Sequence, residues 1–336
     1  MIDLRSDTVT RPTPEMKQAM LAAELGDDVF GEDPTINQLE KRAADILGTE
    51  SAIFASSGTQ SNLLAIMSHC QRGDEYIVAQ YAHTYMYEAG GAAVLGSIQP
   101  QPLESREDAT MDLKKVEAAI KPDDYHFART RLLCLENTAS GKVLPLSYIK
   151  AAYELTQQHG LGFHLDGARV FNAAISLGID VKEIATYFDT ISVCLSKGLG
   201  APVGSVLCGK KAIINKARRW RKMLGGGMRQ AGILAAAGIY ALENNISRLA
   251  TDHQNAAMLA EGLAGIDELQ CTADAANTNM LLVSFDSDDV VKLQEWLKKK
   301  GILILARNPL RLVTHLDISR EDIGKTIAAF RAYFLK

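Results

Sequence analysis

The sequence has no excess of positive charge: its 336 residues carry 36 Lys and Arg against 40 Asp and Glu, a formal net charge of −4. Such a balance builds no overall field for a phosphate backbone, which sets nucleic acid aside as a partner. No apolar run is long and uninterrupted enough to cross a bilayer, and the start, MIDLRSDTVTRPTPEM, lacks a basic stretch followed by an apolar one. No membrane partner is expected, and the cytoplasm is the expected address. The five cysteines, Cys70, Cys134, Cys194, Cys208 and Cys271, contain no C-x-x-C pair, and three lie in apolar strand-like runs. Buried reduced thiols are therefore expected, with neither a disulfide framework nor a metal site. Internal repeats, low-complexity tracts and disordered linkers are missing too, as is any G-x-x-x-x-G-K-[ST] loop.

What is present is a large potential core, with 47% hydrophobic and 23% charged residues. From about 50 to 210, short apolar runs (SAIFAS, EYIVAQ, SIQPQPL, RLLCLEN, GLGFHLD, TISVCLS, GSVLCG) alternate with segments of helical spacing. That alternation predicts an α/β fold with a mostly parallel central sheet. A basic helix over 211–222, a break at GGGMR and a long Ala-rich helical stretch over about 230–264 follow. The remainder reads strand, helix, strand, strand, helix. The expected division is a large domain over 1–249, N-terminal segment included, and a small C-terminal α/β domain over 250–336.

Three features carry chemistry. SSGTQSN follows a buried strand and opens a helix, so Gly58 and Thr59 offer free N–H groups and a hydroxyl to an anion; a plain glycine turn with a Thr cap is the other reading. Lys197 ends an apolar strand before a glycine-rich turn, where desolvation would depress an ammonium's pKa, as a Schiff-base lysine requires; a strand-end lysine reaching solvent is the alternative. The G-x-G-x-x-x-G after it is one residue too long for a dinucleotide loop and contains a proline. Asp166 closes GLGFHLD, 31 residues before Lys197, at the strand end where ligands of open α/β sheets bind. It could instead form a structural ion pair with Arg169. Together, a lysine for an imine, a carboxylate for a pyridine nitrogen and an anion site for a phosphate match what a pyridoxal-type cofactor needs.

DLRSDTVTRPTPEM, GDDVFGEDPT, SSGTQSN, HLDGAR, LSKGLGAPVGS, RKMLGGGMRQ and RLVTHLD together resemble the low-specificity L-threonine aldolases, over nearly the whole chain. The resemblance implies a pyridoxal-phosphate enzyme of fold type I that cleaves threonine or allo-threonine to glycine and acetaldehyde by a retro-aldol reaction. It implies Lys197 as the Schiff-base residue, Asp166 at the ring nitrogen and His83 stacked on the ring. Gly58 and Thr59 would hold the phosphate, with Lys222 and Arg229 reaching in from a neighbouring subunit. Ser6, Arg169 and Arg311 would bind the substrate carboxylate, Arg169 through its planar fork and on the cofactor's substrate side. His83 and His126 share the hydroxyl end of the substrate, His83 as base and His126 as binder. Tyr87 stands where some relatives carry phenylalanine. The assembly implied is a homotetramer, a dimer of dimers with shared sites. An aminotransferase or a β-eliminating lyase of the same fold would share Lys197, Asp166 and a carboxylate-binding arginine; a binding or scaffolding protein would not need them.

Overall fold

A computed structural model describes residues 1–272, 275–285 and 290–334. All seven apolar runs between 50 and 210 form strands of one sheet. Its order is Ser51–Ala55, Ser205–Gly209, Thr190–Cys194, Gly162–Asp166, Thr130–Glu136, Glu75–Ala79, Gln99–Leu103. Only Ser205–Gly209 runs against its two neighbours; the other pairings are parallel. Thr190–Cys194 and Ser205–Gly209 are buried at every residue, as strands covered on both faces must be, which explains why they read as continuous apolar runs. Gln99–Leu103 carries Pro100 and Pro102 and lies at the sheet edge, where alternate N–H groups have no neighbour to serve.

The covering helices start and stop where local chemistry directs. Pro34–Leu47 is capped by Asp33, whose Oδ1 accepts from the Ile36 N–H at 2.9 Å, has proline in its first turn, and ends at Gly48 in the left-handed region. The Ala-rich stretch over 230–264, read as one long helix, is two: Gly232–Asn244 and Leu249–Ala264. Asn245 interrupts it, turning its buried amide to the Leu199 carbonyl at 2.7 Å. That bond ties the break to the loop just after Lys197.

A second hydrophobic core gathers Leu259, Leu263, Leu281, Val283, Leu297, Leu312 and Phe330, together with Ile2 and Leu4 from the other end of the chain. Ile2–Asp3 pairs in parallel with Ile302–Leu303. The N-terminus is thereby threaded between the two cores, and the residues just after it, Ser6 and Asp7, are delivered to the carboxyl ends of the large sheet. Cys70, Cys134, Cys194 and Cys208 are buried free thiols, and Cys271 is partly exposed and also free.

Candidate active site

The carboxyl ends of the parallel strands bring Glu136 and Asp166 side by side, in register with each other. Asp166 is 4% exposed, and among the described residues its two oxygens accept from neutral donors: Asn62 Nδ2 at 2.8 Å and the Ala168 N–H at 3.1 Å. It does not pair with Arg169. A buried carboxylate hydrogen-bonded by neutral donors can also serve a protonated ring nitrogen.

Lys197 lies three residues past the strand Thr190–Cys194, its backbone held by the Thr10 hydroxyl, which donates to its carbonyl at 2.8 Å. Its ammonium forms no hydrogen bond or ion pair among the described residues. It is close enough to Asp7, His83 and Glu136 to act on the titration of each.

His83 opens a short helix after Glu75–Ala79. Its backbone N–H donates to Glu136 Oε2 at 2.8 Å and its Nδ1 lies 2.8 Å from Glu88 Oε1. The hydrogen bond it donates to Glu88 raises the imidazole above its ordinary value, against the effect of burial. Burial pushes Glu88 up, and it pushes Glu136 up to about 7 with help from neighbouring Asp166. One ligand atom from each of His83, Glu88 and Asp166 falls within a 4.8 Å cluster.

Arg169 is gripped side-on by Asp7: Nε to Oδ2 at 2.7 Å and Nη2 to Oδ1 at 2.6 Å. Burial would raise the Asp7 carboxyl, yet Arg169, with Lys197 and Asn279 adding, holds it down at about 2. One edge of the Arg169 fork is therefore taken, leaving its Nη1 end. Arg311, on Leu310–Val313, donates from Nη2 to the Arg5 carbonyl at 3.2 Å, and its buried Nε has no partner. Burial lowers its pKa, with Arg307 and Arg169 lowering it further. Ser6 caps the turn holding Asp7, its Oγ accepting from the Thr8 N–H at 3.2 Å. Ser6, Arg169 and Arg311 are thus brought to one place by Asp7 and Arg5.

The helix Gly58–His69 carries Asn62 to Asp166. Its cap is Ser57, whose Oγ accepts from the Gln60 N–H at 3.1 Å, so Gly58 and Thr59 lie in the first turn, where N–H groups lack intrahelical partners. A Cβ on Gly58 would come within 2.7 Å of Cys194 Sγ. Gly58→Ala is accordingly expected to destabilise the protein by about 1–3 kcal/mol in urea unfolding, and Cys194→Ala in the same chain to recover most of the loss. Gly226 of the GGG turn packs as closely on the Gln60 side chain, 2.6 Å from a would-be Cβ. Lys222 and Arg229 flank this turn and are exposed; Arg229 pairs with Asp27 at 2.9 Å. His126 sits on an exposed loop, its Nδ1 2.7 Å from Asp124 and its ring 4.0 Å from that of Tyr125, with no contact to the residues above. Tyr87 is 66% exposed, its ring 5.8 Å from that of His83.

Asp7, Asn62, Glu88 and Glu136 were not singled out from the sequence. Each lies inside a stretch that was, RSDTVT, SSGTQSN, AHTYMYEAGG and RLLCLEN. For Asp7, Asn62 and Glu88 the available signal was an acidic or amide residue one to five positions from a chosen one; for Glu136 it was an acidic residue at the end of an apolar strand.

The sequence pattern of the β-eliminating lyase family matches residues 3–286. The low specificity L-threonine aldolase of Escherichia coli K12 is 56% identical over the full length of both chains. The low-specificity L-threonine aldolase 1 of Arabidopsis thaliana is 43% identical over 99% of this chain and 96% of its own. Among solved structures, the Leishmania major threonine aldolase superposes with a TM-score of 0.86 at 19% identity, over 99% of this chain and all of that one, a likeness of fold.

Proposed function

Because the chain belongs to the β-eliminating lyase family and, within it, to the low-specificity L-threonine aldolases, we propose that it is a lyase that cleaves L-threonine and L-allo-threonine to glycine and acetaldehyde. Related β-hydroxy-α-amino acids would follow the same retro-aldol course, with pyridoxal 5'-phosphate as cofactor. The full-length identity to curated relatives of that activity carries the reading. The fold is that of fold type I enzymes.

The residues present fit the cofactor: among the described residues, a lysine without a partner, a buried carboxylate bonded by neutral donors, and a helix whose first turns bring Asn62 to that carboxylate. Lys197 would hold its aldehyde carbon, Asp166 its ring nitrogen, His83 one ring face, and Gly58 and Thr59 its phosphate, with Lys222 and Arg229 supplied by a neighbouring subunit. When bound, it supplies an acceptor for the electron pair released at Cα.

The chain's own groups decide which bond releases that pair. Ser6, Arg169 and Arg311 take the substrate carboxylate and so fix the rotation about Cα, presenting Cα–Cβ for cleavage. Since Asp7 already neutralises Arg169, the net attraction comes from Arg311. His83 points Nδ1–H at the Glu88 carboxylate, which leaves Nε2 as the lone pair that takes the β-hydroxyl proton. What supports His126 as the hydroxyl binder is its position in DDYHFART; its contacts are local.

The same proposal includes a homotetramer, a dimer of dimers sharing sites. Exposed Phe30, Tyr81, Tyr87, Val94 and Leu95, most of them in the stretch 81–95 beside His83, support a covered face there. It also includes the division into 1–249 and 250–336, supported by the separate second core, with Ile2 and Leu4 joining the smaller unit. Among the described residues no helix is long and apolar enough to cross a membrane; a cytoplasmic setting is part of the proposal.

The test is one assay: purified protein, visible spectrum with and without borohydride, then L-threonine and L-allo-threonine supplied separately with acetaldehyde followed by a coupled dehydrogenase. Aldehyde from both is the expected result. A borohydride-sensitive band without aldehyde would overturn the aldolase reading and favour transamination or β-elimination.

A further inference from the structure

Asn62 lies on the helix Gly58–His69 and is 1% exposed. Its carboxamide nitrogen has two hydrogens, and both go to carboxylates: Asp166 Oδ2 at 2.8 Å and Glu88 Oε1 at 2.8 Å. Its oxygen accepts from His164 Nε2 at 3.2 Å. A flipped amide would set its oxygen against two carboxylate oxygens, so the orientation is fixed. The rest of the chain agrees: His164 Nδ1 lies 2.9 Å from the Thr190 hydroxyl, and His69 Nε2 lies 2.9 Å from the same oxygen. Burial lowers His164 to about 3 and His69 to about 4, so each ring carries one proton; with His164 Nε2–H given to Asn62, the Thr190 O–H serves His164 Nδ1, and the contact of that nitrogen with the Thr190 carbonyl at 3.2 Å carries no proton.

Two carboxylates buried this close repel, and the ordinary outcome is that one takes up a proton. One N–H to each offsets the repulsion. We propose that Asn62 is a positioning residue: its one amide bridges the Asp166 and Glu88 carboxylates and favours the ionised form of Glu88, and through Glu88 it fixes the proton of His83 on Nδ1, leaving Nε2 for substrate. The inference rests on the roles given to Asp166 and His83 above. A neutral Glu88 could present its own O–H to Nδ1, which would move the ring proton to Nε2 and remove the base.

Titratable groups facing His83 are Glu88 from its own loop, Glu136 and Asp166 from the two adjacent strand ends, and Lys197. Glu88 faces Asp166 and His83, with the neutral side chains of Tyr76 and Cys134 nearby.

The test uses Asn62→Leu, which keeps the volume and removes the amide, in cofactor-free protein with ¹³C-labelled glutamate and ¹⁵N-labelled histidine. Glu88 is assigned by Glu88→Gln and His83 by His83→Gln. Loss of a hydrogen bond to a buried charge should raise the Glu88 midpoint by roughly one to two pH units, move the His83 midpoint down and populate the Nε2–H tautomer at neutral pH. In the loaded enzyme kcat should fall with KM for L-threonine within about twofold of wild type, the split that a proton-transfer defect produces. A Glu88 midpoint and His83 tautomer equal to wild type would overturn the proposal, whatever the assay finds. If Asn62→Leu does not fold, Asn62→Ser is read by the same two signals. Absence of aldehyde from wild type would sink the aldolase reading and leave the titration result to stand by itself.

Discussion

Lys197→Ala is expected to remove turnover of L-threonine and L-allo-threonine, by on the order of 10³-fold or more, together with the borohydride-sensitive visible band. The lysine is placed for this by construction. A fully buried strand delivers it, Thr10, 187 residues earlier, bonds its carbonyl, and Asn245 bonds the Leu199 carbonyl two residues later, so its backbone has little freedom. Its ammonium, by contrast, has no partner among the described residues to give up. Lys197→Arg separates charge from chemistry: it keeps a cation among Asp7, His83 and Glu136 but cannot shed a proton to become a nucleophile, and it should be as inactive as the alanine variant. Lys210→Ala, which removes a lysine paired with Asp189 at 2.5 Å, is the control and should leave turnover unchanged. Full activity in Lys197→Ala would mean that the reaction does not pass through this residue. The readout is steady-state aldehyde release by each variant, with the absorbance spectrum recorded on the same sample.

Much of this site was legible because its anchors sit at strand ends. Asp166 and Lys197 each close an apolar run, and such runs are the strongest local signal a parallel sheet leaves. Side-chain partners across long separations leave no such signal. Arg169 was read as a free fork, with Asp166 as its possible mate; its partner proves to be Asp7, 162 residues earlier, brought there because Ile2–Asp3 pairs with Ile302–Leu303. Two short segments at opposite ends of the chain, each of two paired residues, carry no periodicity from which that pairing could be inferred. Asn62 and Glu88 were passed over for a related reason. Each stands in a stretch chosen for another residue, and what makes it a site residue is the approach of two carboxylates to one amide, a relation between the helix Gly58–His69, the strand Gly162–Asp166 and the loop after His83. The Ala-rich stretch shows the opposite error. Composition read it as one helix, and a single buried Asn245, bonding outside the helix, divided it.

Asp7→Ala should cost about 3–5 kcal/mol of stability, because it strands a guanidinium whose side chain is only 12% exposed. Asp7 itself is fully buried and serves three parts of the molecule: the Arg169 fork in the large core, Asn279 at 3.3 Å from the smaller core, and the N-terminal turn capped by Ser6. Asp7→Ala combined with Arg169→Met, which removes both charges, should be less destabilised than the sum of the two single variants, since the larger share of the single loss is the unpaired charge. Urea midpoints of the four proteins, wild type included, measure this directly, and strict additivity would show that the pair is not the coupled unit the geometry describes. The pH dependence has a defined sign. With its carboxyl held at about 2 in the folded chain, below its ordinary 3.8, Asp7 contributes stability that is fully present above the ordinary value and is lost as pH falls through the interval down to about 2. Between those limits the wild-type urea midpoint should fall faster with acid than that of the double variant, which has no proton to take up at this position. Turnover should follow a different course: Asp7→Ala frees the Nε and Nη2 edge of Arg169 as well as the Nη1 end, so the substrate carboxylate can seat in more than one way, and kcat should drop more than KM rises. A rise in KM alone would mean that Asp7 tunes the strength of carboxylate binding and does not set its orientation.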